Sequence, residues 1–211
     1  MNHRLITSFA VAVLLGANAA AQPGSKETLA NLNTAHLGEA NAQHRYIVFA
    51  RTADAEGYAQ VAKLFRAASS AEATHEFTHM GAIMNLGGKV ENSALDVVAP
   101  GTTLANLQQV VTGESYERDT MYPGFLKLAE AEKAHEAVRS FGFAMAVEKQ
   151  HAALFTAALA QLGKNPSADY FVCPSCGTTT SGSPAKGKCP TCKNPTAKYV
   201  NIQCGEFRLS F

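Results

Sequence analysis

The sequence predicts a mainly α architecture: a four-helix bundle with ligands in its core, followed by a small metal-held module. Three observations predict it. Apolar residues recur at steps of three and four through long stretches between residues 25 and 162. Seven titratable residues, Glu39, Glu72, His75, Glu114, Glu117, Glu148 and His151, fall on those apolar stripes. Beyond residue 169 the composition turns to Cys, Pro, Gly, Thr and Lys, and the helical period stops.

The first 21 residues read apart from the rest: Arg4, an apolar run from Leu5 to Leu15, then small residues to Ala21. This is the pattern of a secretory signal peptide with cleavage near Ala19 to Ala21. The run is too short for a comfortable membrane span, which needs about 20 residues. Export, with metal loaded outside the cytoplasm in the periplasm, is the expectation, and no membrane association is expected after cleavage.

Residues 22–166 hold the bundle. Ser25 caps a first helix reaching about Ala55, where Glu56-Gly57 turns the chain. Its stripe is Leu32, Ala35, Glu39, Ala42, Tyr46 and Phe49. A second helix runs from about Tyr58 to Leu86 with Val61, Phe65, Ala68, Glu72, His75, His79 and Leu86 on one face. The connection from Lys89 to Gly101 has the length of a crossover between two helix pairs. A third helix spans about Thr102 to Tyr122, with Leu104, Leu107, Val111, Glu114 and Met121 on its stripe, and Pro123 must break or kink it. A short helical piece reaches about Lys133. The fourth long helix, to about Leu162, carries Phe141, Met145, Glu148, Ala152, Phe155 and Leu159.

A carboxylate buried without a partner costs several kcal/mol or is forced to protonate. Five in one core require cations, and carboxylate with imidazole suits two iron or two manganese ions. One Glu with two Glu-x-x-His helices is the donor set of di-metal carboxylate bundles. The spacing repeats: 33 residues from Glu39 to Glu72, 34 from Glu114 to Glu148. That internal symmetry favours a two-metal site on a pseudo-two-fold axis, and Glu117 alone has no counterpart. His36, His44, His79 and His135 read as packed or surface histidines, with His79, one turn beyond His75, also placed to support a ligand.

In residues 167–211, Cys173-x-x-Cys176 and Cys189-x-x-Cys192 are separated by 12 residues. Four thiolates at this spacing specify a tetrahedral sulfur site for iron or zinc, and the metal would contribute folding energy to a module too small to fold by its core alone. Disulfides are the alternative in an oxidising compartment. Cys204 reads as a small buried or free thiol. A net charge of +1 with no basic run gives no case for nucleic acid.

The order of these parts resembles the rubrerythrins over nearly all of the chain beyond residue 21. The resemblance rests on Gly38-Glu39 with Arg45-Tyr46, Glu72 with His75, Gly113-Glu114 with Glu117 and Met121-Tyr122-Pro123, Glu148 with His151, and the gap between the knuckles. It implies a ferritin-like four-helix bundle followed by a small rubredoxin-like metal-binding domain. The implied cofactors are two non-haem irons in the bundle and one iron, or zinc, in the FeS4-type site. The implied activity is a peroxidase that reduces hydrogen peroxide to water in oxidative stress defence and is re-reduced through the tail iron. One bundle iron would move between His75 and Glu117 with oxidation state, and Tyr46 and Tyr122 would hydrogen-bond the carboxylates, though core packing also accounts for both tyrosines. The implied assembly is a head-to-tail homodimer or higher homo-oligomer, the tail of one subunit serving the next, with an electron-donor protein the sequence does not name. The Thr178 to Thr180 run departs from the aromatics common in rubredoxins and leaves the tail metal wetter. Ferroxidase or iron handling, and a zinc-ribbon interaction module on a metallated bundle, are the competing functions.

Overall fold

The computed structural model describes residues 25–184, 186–194 and 198–203. The expected signal peptide and Cys204 lie outside them. Helix α1 (Lys26–Ala55) starts at Ser25, whose hydroxyl accepts from the Thr28 amide at 3.1 Å, the ordinary way to satisfy an orphan donor at a helix start. It pairs with α2 (Ala59–Asn85). The crossover that follows carries no helix or strand, and α1 holds it by side chains. Asn33 Oδ1 accepts from the Glu91 amide and Asn41 Oδ1 from the Asp96 amide, both at 2.8 Å.

Thr102 caps α3 (Thr103–Tyr116), which passes into a π-helical turn at Glu117–Met121 and then α4 (Tyr122–Ala131). The sequence predicts one helix to Tyr122 with a break at Pro123. The structure widens the helix in the turn before the proline instead. Pro123 offers no N–H and its ring crowds the carbonyl four residues back, that of Asp119, so the wider turn relieves both problems. Helix α5 (His135–Ala160) completes the bundle.

Two apolar layers form the core. One contains Tyr46, Phe49, Phe65, Leu107, Val147 and Phe155, and the other Leu32, Ile83, Tyr122, Phe141 and Ala144. Along α1, α2 and α5 the ligand residues fall between these layers, so oily side chains close both ends of the charged layer.

The tail forms an antiparallel sheet in the order β2-β1-β3, from β1 (Tyr170–Val172), β2 (Thr179–Ser181) and β3 (Val200–Ile202). Tyr170, Val172 and Ile202 join the first apolar layer of the bundle. The tail therefore shares the bundle's core, where its sequence reads as a separate module. Gln60 donates to the Ala168 carbonyl at 3.0 Å and accepts from the Ala168 amide at 3.2 Å, while Lys63 pairs with Asp169 at 3.0 Å. These contacts hold the connection along α2 and lay the tail on its own chain's bundle. Among the described residues no helix is long and apolar enough to cross a membrane.

Candidate metal centre

Helix periodicity places the ligands, because each lies where a core leucine would otherwise sit. Glu39, Glu72, His75, Glu114, Glu148 and His151 are all buried, at most 1% exposed. Their ligand atoms form two groups of four: Glu39, Glu72, His75 and Glu148, and Glu72, Glu114, Glu148 and His151. Glu72 and Glu148 belong to both groups, which puts them between two ion positions. Each group then adds its own Glu and its own His.

The distances repeat the symmetry. His75 Nδ1 lies 2.9 Å from Glu72, 3.1 Å from Glu148 and 3.6 Å from Glu39. His151 Nδ1 lies 3.1 Å from Glu72, 3.1 Å from Glu148 and 3.6 Å from Glu114. Despite this crowding, His75 Nδ1 and one oxygen each of Glu39, Glu72, Glu114 and Glu148 make no hydrogen bond of acceptable geometry. Buried polar atoms are normally paired. Donor atoms that converge on common points yet fail to pair with each other fit cations between them.

Charge follows the same logic. Burial pulls the His75 and His151 imidazoles down, but the surrounding carboxylates outweigh it and hold both well above the ordinary histidine range. Burial and the charges of Glu72 and Glu114 push Glu148 well up. Glu39 goes the other way: burial raises it, and the adjacent His75 and His79 imidazoles more than reverse that.

Tyr46 donates to Glu114 and Tyr122 donates to Glu39, so each unshared carboxylate is held by one buried tyrosine. Glu117 sits at the start of the π-helical turn, partly buried and outside both groups of four. Burial and the charges of Glu39 and Glu148 push its carboxyl well up, which places it within electrostatic reach of the centre.

In the tail, Cys173, Cys176, Cys189 and Cys192 bring their sulfurs within 4.8 Å of one another. Cys176 and Cys189 are 3.6 Å apart, Cys173 and Cys192 4.0 Å. A tetrahedron of metal–sulfur bonds of about 2.3 Å has edges of about 3.8 Å, whereas a disulfide is about 2.05 Å. All four are free thiols, so the arrangement is a metal site rather than a pair of disulfides. Burial raises Cys189, but hydrogen bonds from the Tyr199 hydroxyl and the Cys192 amide outweigh it and bring the thiol down to about 6.

The two sites touch. The outer nitrogen of His75, Nε2, lies 3.3 Å from the Cys176 carbonyl, and His151 Nε2 lies 3.2 Å from Thr179 Oγ1. Gln150 Oε1 accepts from the Thr179 amide at 3.0 Å. Gly177 permits this approach: its φ is +76°, and a Cβ there would come within 2.5 Å of His75 Nε2. Gly177 directly follows the first knuckle, and nothing local in the sequence signals its approach to His75. Thr179, Gln150 and Ser140 carry no signal of their own in the sequence, whereas His79 is visible on the core stripe of α2.

The fold and the donor atoms define a di-metal carboxylate bundle joined to a four-thiolate site. The family profile described as Rubrerythrin matches residues 30–159. A putative rubrerythrin of Methanocaldococcus jannaschii is 32% identical over 198 residues, covering 86% of this chain and 95% of the relative. Nigerythrin of Nitratidesulfovibrio vulgaris is 32% identical over 173 residues, covering 82% and 85%. The structure of fully reduced, all-ferrous nigerythrin superposes with a TM-score of 0.72 at 30% identity over 93% of this chain and 100% of that one. An Archaeoglobus fulgidus ferritin, 18% identical with a TM-score of 0.60 over 66% of this chain and 86% of that one, shares the fold. The chain belongs to the rubrerythrin family. Its metals are accordingly two non-haem irons at the carboxylate–histidine layer and one iron at the four cysteines, and its class is an oxidoreductase.

Proposed function

We propose that the protein reduces hydrogen peroxide to water at the bundle centre and is re-reduced through its own four-cysteine iron. The observation that carries this reading is the contact between Cys176 and His75. It joins an electron-carrying site directly to a ligand of the di-metal centre. The bundle irons, when bound, supply the two electrons that break the peroxide O–O bond.

The chain's residues do the rest. Glu72 and Glu148, shared by both groups, would help hold both ions, while Tyr46 and Tyr122 hydrogen-bond the unshared carboxylates. The two apolar layers keep bulk water from the centre. Glu117, one turn on from Glu114 and outside both groups of four, would be the carboxylate available to take the place of His75 if the ion there became more highly charged, since a harder cation favours oxygen over nitrogen.

The setting proposed is an exported, periplasmic protein acting in oxidative stress defence. It assembles as a homodimer or higher homo-oligomer and takes electrons from a separate redox protein. Steady-state assays with the iron-loaded mature protein, a reduced donor and hydrogen peroxide test the reaction. The expected result is donor oxidation in proportion to peroxide consumed, two electrons for each molecule. Accumulation of ferric iron without continuing peroxide turnover would instead establish a ferroxidase.

A further inference from the structure

His79 is a buried titratable group that belongs to neither ligand group. It is fully buried, one turn beyond His75 on α2, and both ring nitrogens have partners. Nε2 lies 3.1 Å from the Tyr122 hydroxyl and Nδ1 lies 2.8 Å from Ser140 Oγ. Ser140, on α5, and its neighbour Thr78, 3.3 Å away, line a cavity of about 450 Å3 between α2, α5 and the cysteine loops. Phe77, Arg139, Phe143 and Cys192 form other parts of its wall.

We propose that Ser140, His79 and Tyr122 form a directed hydrogen-bond chain that delivers protons from this cavity to the Glu39 edge of the metal centre. The inference rests on the peroxide reading above for what consumes the protons, since each peroxide needs two to leave as water.

The direction follows from donor and acceptor inventory alone. A metal-binding carboxylate only accepts, so Tyr122 must donate its single proton to Glu39. The Tyr122 oxygen can then only accept from His79, which puts the ring proton on Nε2. Nδ1 is left bare and must accept from Ser140. Ser140 has one proton to give, to His79 Nδ1 at 2.8 Å or to Thr78 Oγ1 at 3.3 Å, and in the chain it goes to the nearer histidine, which leaves the Ser140 oxygen free to accept from the cavity. Every link points the same way. A core histidine needing only satisfied nitrogens could end on carbonyls; here both neighbours are hydroxyls, which accept one proton as they give up another.

Transfer balances link by link. The Tyr122 O–H breaks as its proton leaves towards the centre, and the Nε2–H proton remakes it. Nδ1 takes the Ser140 proton, and Ser140 takes one from cavity water, whose hydroxide is neutralised by solvent. A flip of the imidazole about Cβ–Cγ restores the starting polarity. His79 stays neutral at rest and acts through Tyr122, as a positioning and proton-passing residue.

The first test uses NMR of the zinc-loaded full chain, in which the exchange of the His79 Nε2 proton with water is measured directly and no peroxide is present. Ser140→Ala is expected to slow that exchange by at least about tenfold, and Ser140→Thr, which keeps the hydroxyl, to restore it. In the iron-loaded protein, Ser140→Ala and His79→Gln are expected to retain the parent metal content and lose about tenfold or more in peroxide turnover, with Ser140→Thr again near the parent. Unchanged exchange in Ser140→Ala, or turnover within about twofold of the parent in both variants, overturns the chain. Slowed exchange in a protein with no peroxide turnover supports the chain and removes peroxide as its consumer. That outcome separates the two claims.

Discussion

The two halves of the metal centre match in ligands and differ in what lies behind them. Each half has its own Glu, its own Nδ1-directed His and a tyrosine donating to the unshared carboxylate. Behind Tyr46 no histidine stands: Phe65 and Phe155 pack on its ring with centroids 6.1 and 5.8 Å away, and the Arg45 guanidinium lies 5.6 Å from its centroid. Behind Tyr122 stands His79, with Ser140 and the cavity beyond it. The half holding His75 also lies against the knuckle carbonyl of Cys176, and Glu117 breaks the symmetry between the two helix pairs. The repeated helix pairs place two matching groups of ligands, and the asymmetry lies in what stands behind them, the feature on which the proposed electron and proton routes rest. The other half also meets the tail, through His151 and the Thr179 hydroxyl, but has no histidine behind its tyrosine.

Breaking the thiolate site removes the largest asymmetry. Cys173→Ser is expected to lose the tail iron, which contributes on the order of 10 kcal/mol to the folding of such modules. Visible absorption of the sulfur-bound iron should vanish and steady turnover should fall to background, while one round of oxidation by peroxide survives.

Gly177→Ala tests the contact rather than the metal. The added carbon would collide with His75 Nε2 and with the Ala71 carbonyl in a backbone conformation that disfavours side chains. Metal content should be kept, and re-reduction after peroxide should slow by roughly tenfold or more, the scale of lost support for a ligand.

Glu117→Ala removes the carboxylate without a symmetry mate. Because Glu117 lies outside both groups of four, both bundle ions should remain by metal analysis, while rapid-mixing oxidation by peroxide should slow by about tenfold. Unchanged kinetics would count against ligand exchange with His75.

Metal removal sharpens the comparison through pH. In the metal-free protein Glu148 and Glu117 are held well above 4.5, and His75 and His151 well above 6.5. A raised group contributes stability below its unfolded value, and that contribution is lost as the pH rises through the folded value. Glu39 and Glu114 are lowered and act oppositely, only as the pH falls below 4.5. The metal-free melting temperature is therefore expected to fall as the pH rises above about 6.5, the unfolded histidine value, where the loaded protein stays level because cations replace protons. In the same metal-free state, Glu148→Gln should raise the melting temperature by removing a buried charge.

The smallest effect expected is at the Tyr46 half. Tyr46→Phe deprives Glu114 of one hydrogen bond, a loss of about 1 to 3 kcal/mol in thermal or chemical unfolding, with no change in proton delivery.

The ligand layer was legible because Glu and His at core-stripe positions of a 3.6-residue helix contradict the rest of the stripe, as at Glu72 between Ala68 and His75. The thiolate site was legible from knuckle spacing. Side-chain partners across elements were not: nothing local tells that Ser140 faces His79, or that Gly177 will meet His75. The tail's position on its own bundle depends on Gln60 and Lys63 holding Ala168 and Asp169, over a hundred residues away in sequence. The widened turn at Glu117–Met121 follows from Pro123, but a proline in a helix reads equally well as a break, which is how the sequence presents it.

In the proposed reaction one chain houses both the peroxide-reducing centre and its electron supply. Rapid mixing of the fully reduced, iron-loaded protein with one equivalent of hydrogen peroxide tests it, following the sulfur-bound iron by its visible absorption across a range of protein concentrations. Oxidation of the bundle centre followed by oxidation of the four-cysteine iron, at a rate independent of protein concentration at or below the assembled state, is the predicted result. A four-cysteine iron that stays reduced, or is oxidised at a rate rising in proportion to protein concentration, would contradict it.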